Sequence, residues 1–181
     1  RIHERGGEVS FASVRVENLT DEILKAIAKS SRSVTIAPEA GSDRLRHVIG
    51  KSTDEYDFLD AAESFGACGI QGIKLYFLLG LPTETMDDVR AIAELAARIA
   101  KAHRAKRKNS RISLSINPFV PKPNTPFALH PFESAETLKS KMDALRPLVR
   151  RMGAVEARFG SVSGSVFQAA FDPDQNGPVE R

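Results

Sequence analysis

One cysteine, no tryptophan and two tyrosines in 181 residues remove several readings at once. A lone Cys68 excludes an internal disulfide framework and suits a reducing compartment, so a cytoplasmic location is expected. The four histidines, His3, His47, His103 and His130, stand at no ligand spacing, and no metal site is expected within the chain. No apolar run approaches the roughly 20 residues that span a bilayer, and the charged start Arg1 to Gly7 is no signal peptide. Lys plus Arg exceed Asp plus Glu by only 26 to 23, too little to argue for nucleic acid. The basic run Lys101 to Arg111 follows a helix end, where positive charge is favourable anyway. No aromatic residue interleaves it, so nucleic acid is a poor candidate partner. Gly-x-Ser-x-Gly, Walker A and repeat patterns are also missing.

What is present is an alternation of strand-like and helix-like segments in a chain of ordinary composition, 41% apolar and 27% charged, long enough for one domain with a real core. Glu8 to Val16 reads as a strand, Asp21 to Lys29 as an amphipathic helix, and Ser33 to Ala37 as a β-branched strand. Ser42 opens a helix. Thr53 is expected to cap the next, Asp54 to Phe65, which Gly66 and Gly69 end. Ile73 to Leu79 is a strand, and Thr83 or Thr85 starts a long helix to about Arg104. Ile112 to Ile116 is a strand, Ser134 caps a helix to about Met152, and Val155 to Phe159 is a last strand. A short helix, Ser165 to Phe171, precedes a tail, Asp172 to Arg181, expected to fray. This pattern predicts an α/β fold with a mostly parallel sheet of about five strands and helices outside. Five strands are too few to close an eight-stranded barrel, so a partial, half TIM-like barrel is expected. Its exposed sheet edge could pair two copies into a dimer. Residues 1–160 form the barrel part, and 161–181 the terminal helix and tail.

The loops at the strand ends carry specific words. Ala37 to Ser42 reads APEAGS; the next helix carries Arg44-Leu45 and then Gly50-Lys51; Gly80 to Thr85 reads GLPTET; Ser115 to Phe127 reads SINPFVPKPNTPF. In order and spacing these resemble the radical S-adenosylmethionine enzymes, nearest the cobalamin-binding type, over roughly Glu8 to Met152. The resemblance implies an iron–sulfur enzyme that uses S-adenosylmethionine and a [4Fe–4S] cluster, and it leaves cobalamin open. In that family the reduced cluster cleaves S-adenosylmethionine, and a 5′-deoxyadenosyl radical abstracts hydrogen, or cobalamin relays a methyl group. The family's defining CxxxCxxC is absent here, and one thiolate cannot hold a cluster. The chain therefore reads as the carboxyl-terminal part of such a barrel, inactive alone, whose partner would be the missing amino-terminal half of the same protein. Substrate and catalytic residues stay unknown.

The candidate site residues lie where parallel α/β proteins place ligands, at the carboxyl ends of strands. Glu39 is a carboxylate that can accept hydrogen bonds from ribose hydroxyls, or it can be a loop acid paired with Arg44 or Arg46. Gly41 and Ser42 would present backbone N–H groups to an anion, or merely cap a helix. Relatives imply that Lys51 grips the methionyl carboxylate; a solvated helix-end lysine is the plainer reading. Period two puts Lys74, Tyr76, Leu78 and Gly80 on one face of their strand, and Ile73, Leu75, Phe77 and Leu79 on the core face. Tyr76 stands where many relatives keep a ribose-binding aspartate, and Gly80 closes the strand. Lys74 would face the barrel interior and the substrate, with Glu39 or an acid from an absent strand as partner. Asn117, Phe119 and Lys122 belong to a loop stiffened by four prolines, suited to adenine and the substrate opening or to a plain rigid crossover. Two other classes compete. One is a degenerate, cluster-less barrel acting as a binding or assembly module. The other is a phosphate-binding barrel using Gly160 to Gly164, which the paired APEAGS and GLPTET words disfavour.

Overall fold

A computed structural model describes residues 13–153 and 155–171. Its elements are α1 (Asp21–Ser30), β1 (Ser33–Glu39), α2 (Asp43–Val48), α3 (Glu55–Ala67), β2 (Gly72–Leu79), α4 (Met86–Lys106), β3 (Arg111–Pro118), α5 (Ala135–Arg150), β4 (Val155–Phe159) and α6 (Val162–Phe171). The strands form one parallel sheet in the order β1-β2-β3-β4. Spatial order therefore follows chain order, with a helical crossover between each pair. A doubly wound sheet would reverse direction at a switch point; this winding is that of part of a TIM-like barrel.

The described residues contain four strands, not the five expected. Most of the expected first strand, Glu8 to Val16, lies outside the described residues, as does the expected frayed tail from Asp172. Of that first segment, Val14 donates its backbone N–H to Thr35 O at 2.9 Å, and Val16–Asn18 close a 3₁₀ turn.

Local chemistry sets the helix starts. Thr20, Ser42, Thr85 and Ser134 each accept a backbone N–H from the first turn of α1, α2, α4 and α5. At α3 the cap is Asp54, not Thr53. Asp54 and Asp57 form a reciprocal capping box, each carboxylate accepting the other's N–H, and no threonine hydroxyl can match two charge-assisted bonds. Thr53 is buried and donates to Glu17 Oε1 at 2.7 Å instead.

The alternation read from β2 is realised across the sheet. Val34, Ile36, Ile73, Leu75, Phe77, Leu79, Ile112, Leu114 and Ile116 are all buried on one face. Phe58 and Phe65 of α3, Val89, Ile92, Leu95 and Ile99 of α4, and Leu138 and Leu145 of α5 pack against them in one cluster. Each such side chain contributes roughly 1.5–3 kcal/mol by leaving water. The opposite face carries Thr35, Lys74, Tyr76, Leu78, Ser113, Ser115 and Asn117, all half-buried. In a barrel, that face is the lumen.

Candidate functional site at the carboxyl ends of the strands

β1 does not end as a regular strand. Its pairing with β2 shifts register between Ile36 and Glu39, around Pro38, which has no N–H to give to a ladder. Glu39 then takes φ +65°, a left-handed conformation that costs a side-chain-bearing residue about 1 kcal/mol or more. Its carboxylate is about a third exposed and pairs with Lys51 Nζ at 3.2 Å. Lys51 also donates to Ala37 O.

A short helix brings these two residues together across twelve positions of sequence. After α2, Gly50 adopts φ +76°; Gly50 N–H donates to His47 O and Lys51 N–H to Arg46 O. This is a full Schellman ending, and it turns Lys51 back over the end of β1. Glu39 therefore meets Lys51, while Arg44 and Arg46, its alternative partners, are committed to Asp88 and Asp43. Lys74 does not reach Glu39 either: its ammonium sits 4.7 Å from the centre of the Tyr76 ring, a cation–π contact on the lumen face.

Glu39 lines two cavities. One, of about 310 Å³, is polar, with Arg15, Glu17, Lys51 and Ser52 among its walls. The other, of about 250 Å³, is mostly apolar and is walled by Ile49, Leu78, Leu81, Phe119 and Phe127, with Lys122 at its edge. Phe119 and Phe127 meet edge to face, with centroids 6.1 Å apart and planes at 89°. Phe119 is held in place by its N–H on Leu79 O at 2.7 Å. In the polar cavity, burial pushes the Glu17 carboxyl up, but its hydrogen bonds, including one from Thr53, and the nearby Lys51 and Arg15 outweigh this and hold it low.

Of the residues expected from sequence, Glu39, Lys51, Phe119 and Lys122 thus come together. Gly41, Ser42 and Gly80 stand in the scaffold around them. A Cβ on Gly41 would lie 2.2 Å from Ile92 N, so glycine there admits α4 against the β1 loop. Ser42 Oγ accepts Leu45 N–H and donates to Asp88 Oδ1. Gly80, at φ +83°, donates its N–H to Glu84 Oε2 at 2.8 Å. Tyr76 and Asn117 lie on the lumen face. Asn117 donates to Ser115 Oγ at 3.3 Å, and Gly160 lets the loop after β4 pass close to its Oδ1. In the Gly160 to Gly164 segment, Ser161 Oγ is committed to Gly164 N–H as the opening of α6.

Two knots were missed from sequence. The buried carboxylate of Asp88 binds Ser42, Arg44 and both the N–H and hydroxyl of Thr85. Burial pushes its pKa up, but these hydrogen bonds, led by Arg44, outweigh it and hold the carboxyl far below the ordinary range. In the second, buried Lys141 of α5 lies 2.9 Å from both Glu84 and Glu133. Burial drives the Glu84 carboxyl up despite Gly80 and Lys141. Burial likewise works against the charge on Lys141, but the two carboxylates outweigh it and raise its pKa. Buried Arg46 adds a third fastening, donating to Ala40 O and Thr53 O. The Thr85-x-x-Asp88 capping spacing was a readable signal for Asp88 as a helix residue; nothing local marked Arg44 or Lys141 as partners.

Residues 2–96 match the family model of the Radical SAM superfamily. An uncharacterized protein of Methanocaldococcus jannaschii is 34% identical over 140 residues, 77% of this chain and 30% of its own length. An uncharacterized methyltransferase of Pyrococcus horikoshii is 28% identical over 101 residues, 55% of this chain and 22% of its own length. The chain thus spans under a third of either relative. With a family model matching more than half of its residues and the sequential strand–helix winding of part of a TIM-like barrel, the chain belongs to the radical SAM superfamily.

Proposed function

We propose that this chain supplies the S-adenosylmethionine-binding strand ends of a radical SAM iron–sulfur enzyme. The observation that carries the reading is Glu39: a carboxylate in a strained backbone conformation, steadied by Lys51, between a polar cavity and an aromatic-walled one. That arrangement suits a ligand with a flat apolar base, a diol and a charged amino-acid tail. Phe119, Phe127 and Leu78 would hold the adenine. Glu39 would accept from the ribose hydroxyls, with Lys51 turning to the methionyl carboxylate. Bound S-adenosylmethionine supplies a transferable methyl or 5′-deoxyadenosyl group; the chain's own residues bind and orient it.

The residues present do not fit the cluster. Cys68 is exposed at the end of α3, and the described residues hold no group of three metal-ligating side chains. In this reading the cluster ligands come from outside this sequence, in the amino-terminal half of a longer protein. Cobalamin and a cytoplasmic location belong to the same reading; the described helices include none long and apolar enough to cross a membrane. The name of the Pyrococcus relative favours methyl transfer over oxidoreduction. The cluster-less binding module is the second reading, favoured by the single cysteine.

Equilibrium dialysis of S-adenosylhomocysteine against the 181-residue chain tests ligand binding without a cluster. Saturable binding is expected, weakened roughly tenfold or more by Glu39→Gln and by Phe119→Ala, in line with the loss of a charged hydrogen bond or a stacking surface. Absence of binding, or binding indifferent to both variants, would overturn the assignment. Cleavage of S-adenosylmethionine by the anaerobically reconstituted longer protein then separates the enzyme from the module.

A further inference from the structure

The opposite, amino-terminal end of the sheet holds a further cavity, of about 740 Å³, that the proposed function does not use. Arg32, Lys74 and Arg111 line it, together with Thr35, Ser113 and Glu156. Thr35, Lys74, Ser113 and Glu156 are consecutive register partners across the four strands, so one row of the sheet forms its floor. Gly72 sits in register between Ser33 and Arg111, and its missing side chain leaves the mouth open between them.

The charges in this row are unbalanced. The acid, Glu156, is already held by Arg158, through Nε at 3.2 Å and Nη2 at 3.1 Å. Among the described residues no carboxylate pairs with Arg32, Lys74 or Arg111; the partner of Lys74 is the Tyr76 ring. Three cations beside hydroxyl donors form a donor-rich, positive hollow. We infer that this cavity binds the oxyanion group of a small molecule, phosphate or carboxylate, with Lys74 at its inner end and Arg32 and Arg111 at its rim. The site is separate from the strand-end cavities.

Calorimetric titration of the 181-residue chain at low ionic strength, with pyrophosphate in one arm and citrate in the other, tests it and distinguishes the two oxyanions. At least one is expected to saturate at one site per chain and to shift the Tyr76 ring resonances. Lys74→Met should weaken binding roughly tenfold or more, as loss of a charged hydrogen bond does. Arg32→Gln/Arg111→Gln should act in the same direction, Lys74→Arg should retain binding, and exposed Lys139→Met should change nothing. S-adenosylhomocysteine binding should be unaffected by Lys74→Met. Failure of both anions to saturate, or equal effects of Lys74→Met and Lys139→Met, would overturn the inference.

Discussion

Asp88 and Glu39 are two carboxylates at the same rim of the sheet, and they are built in opposite ways. Asp88 is buried, sits in an ordinary helical turn, and receives hydrogen bonds from Ser42, Arg44 and Thr85. Glu39 is a third exposed, sits in a strained conformation, and has one ion-pair partner. The first has little capacity left for a ligand; the second borders two cavities and is paired, among the described residues, with Lys51. An acid whose acceptors are all satisfied within the protein is scaffold. One held in place at a conformational cost, with acceptors to spare, is what a binding site needs. Asp88, three residues past the GLPTET word, fastens the APEAGS loop to the GLPTET loop, and in the proposed reading Glu39 uses the platform so made.

The comparison breaks most visibly if Asp88 is removed. Asp88→Ala strands Ser42 and Thr85 and frees Arg44, half of which already faces solvent. A loss of about 2–3 kcal/mol is expected, measurable as a lower urea midpoint at unchanged slope. The pH dependence follows from the depressed pKa. A carboxyl lowered on folding contributes stability that is fully present above its ordinary value of 3.8 and is lost as pH falls below it. Asp88→Asn should flatten that acid limb relative to the parent; an unchanged limb would show that Asp88 is not the fastening.

How much of this could be read beforehand divides along the same line. The core face of β2 and the caps at Ser42, Thr85 and Ser134 were legible, because periodicity and capping act within a few residues. Glu39 and Lys51 were legible as candidates, because strand ends and helix ends punctuate the sequence. Their pairing was not, because it needs the Schellman turn at Gly50 to fold Lys51 back; the partners weighed for Glu39 (Arg44, Arg46 and Lys74) left that turn out. Asp54 displaced Thr53 as a cap because the decisive residue, Asp57, lies three positions on. Asp88 with Arg44, and Lys141 with Glu84, were illegible for a different reason. Those partners are set by which helices the sheet brings side by side, and charged residues on amphipathic helices look alike until they are buried.

Lys141 gives an effect of similar size with its own control. Lys141→Met leaves the buried Glu84 carboxylate without a cation and should cost about 2–4 kcal/mol near neutral pH. Since burial raises the Glu84 pKa on folding, the protonated form is the one the fold tolerates. The loss should therefore shrink as pH falls toward the ordinary value of 4.5 and grow as pH rises through the raised one. Glu84→Gln on the same background keeps an acceptor for Gly80 N–H and removes the charge, so the double variant should recover more than half of the loss. A double variant as unstable as Lys141→Met would mean that packing, not the buried charge, is at stake.

The smallest expected effect on stability is the sharpest test of the contrast. Glu39→Gly removes a side chain that the left-handed backbone disfavours, and glycine adopts φ +65° without penalty. It also removes an ion pair that is partly exposed on both sides and worth at most about 1 kcal/mol. The two effects oppose each other, so the thermal midpoint should stay within a few degrees of the parent or rise. Binding of S-adenosylhomocysteine should nevertheless collapse. Stability held while affinity is lost is the signature of strain kept for a ligand. If instead the variant unfolded easily, the Glu39–Lys51 pair would be scaffold like Asp88, and the strained turn would serve only to close β1.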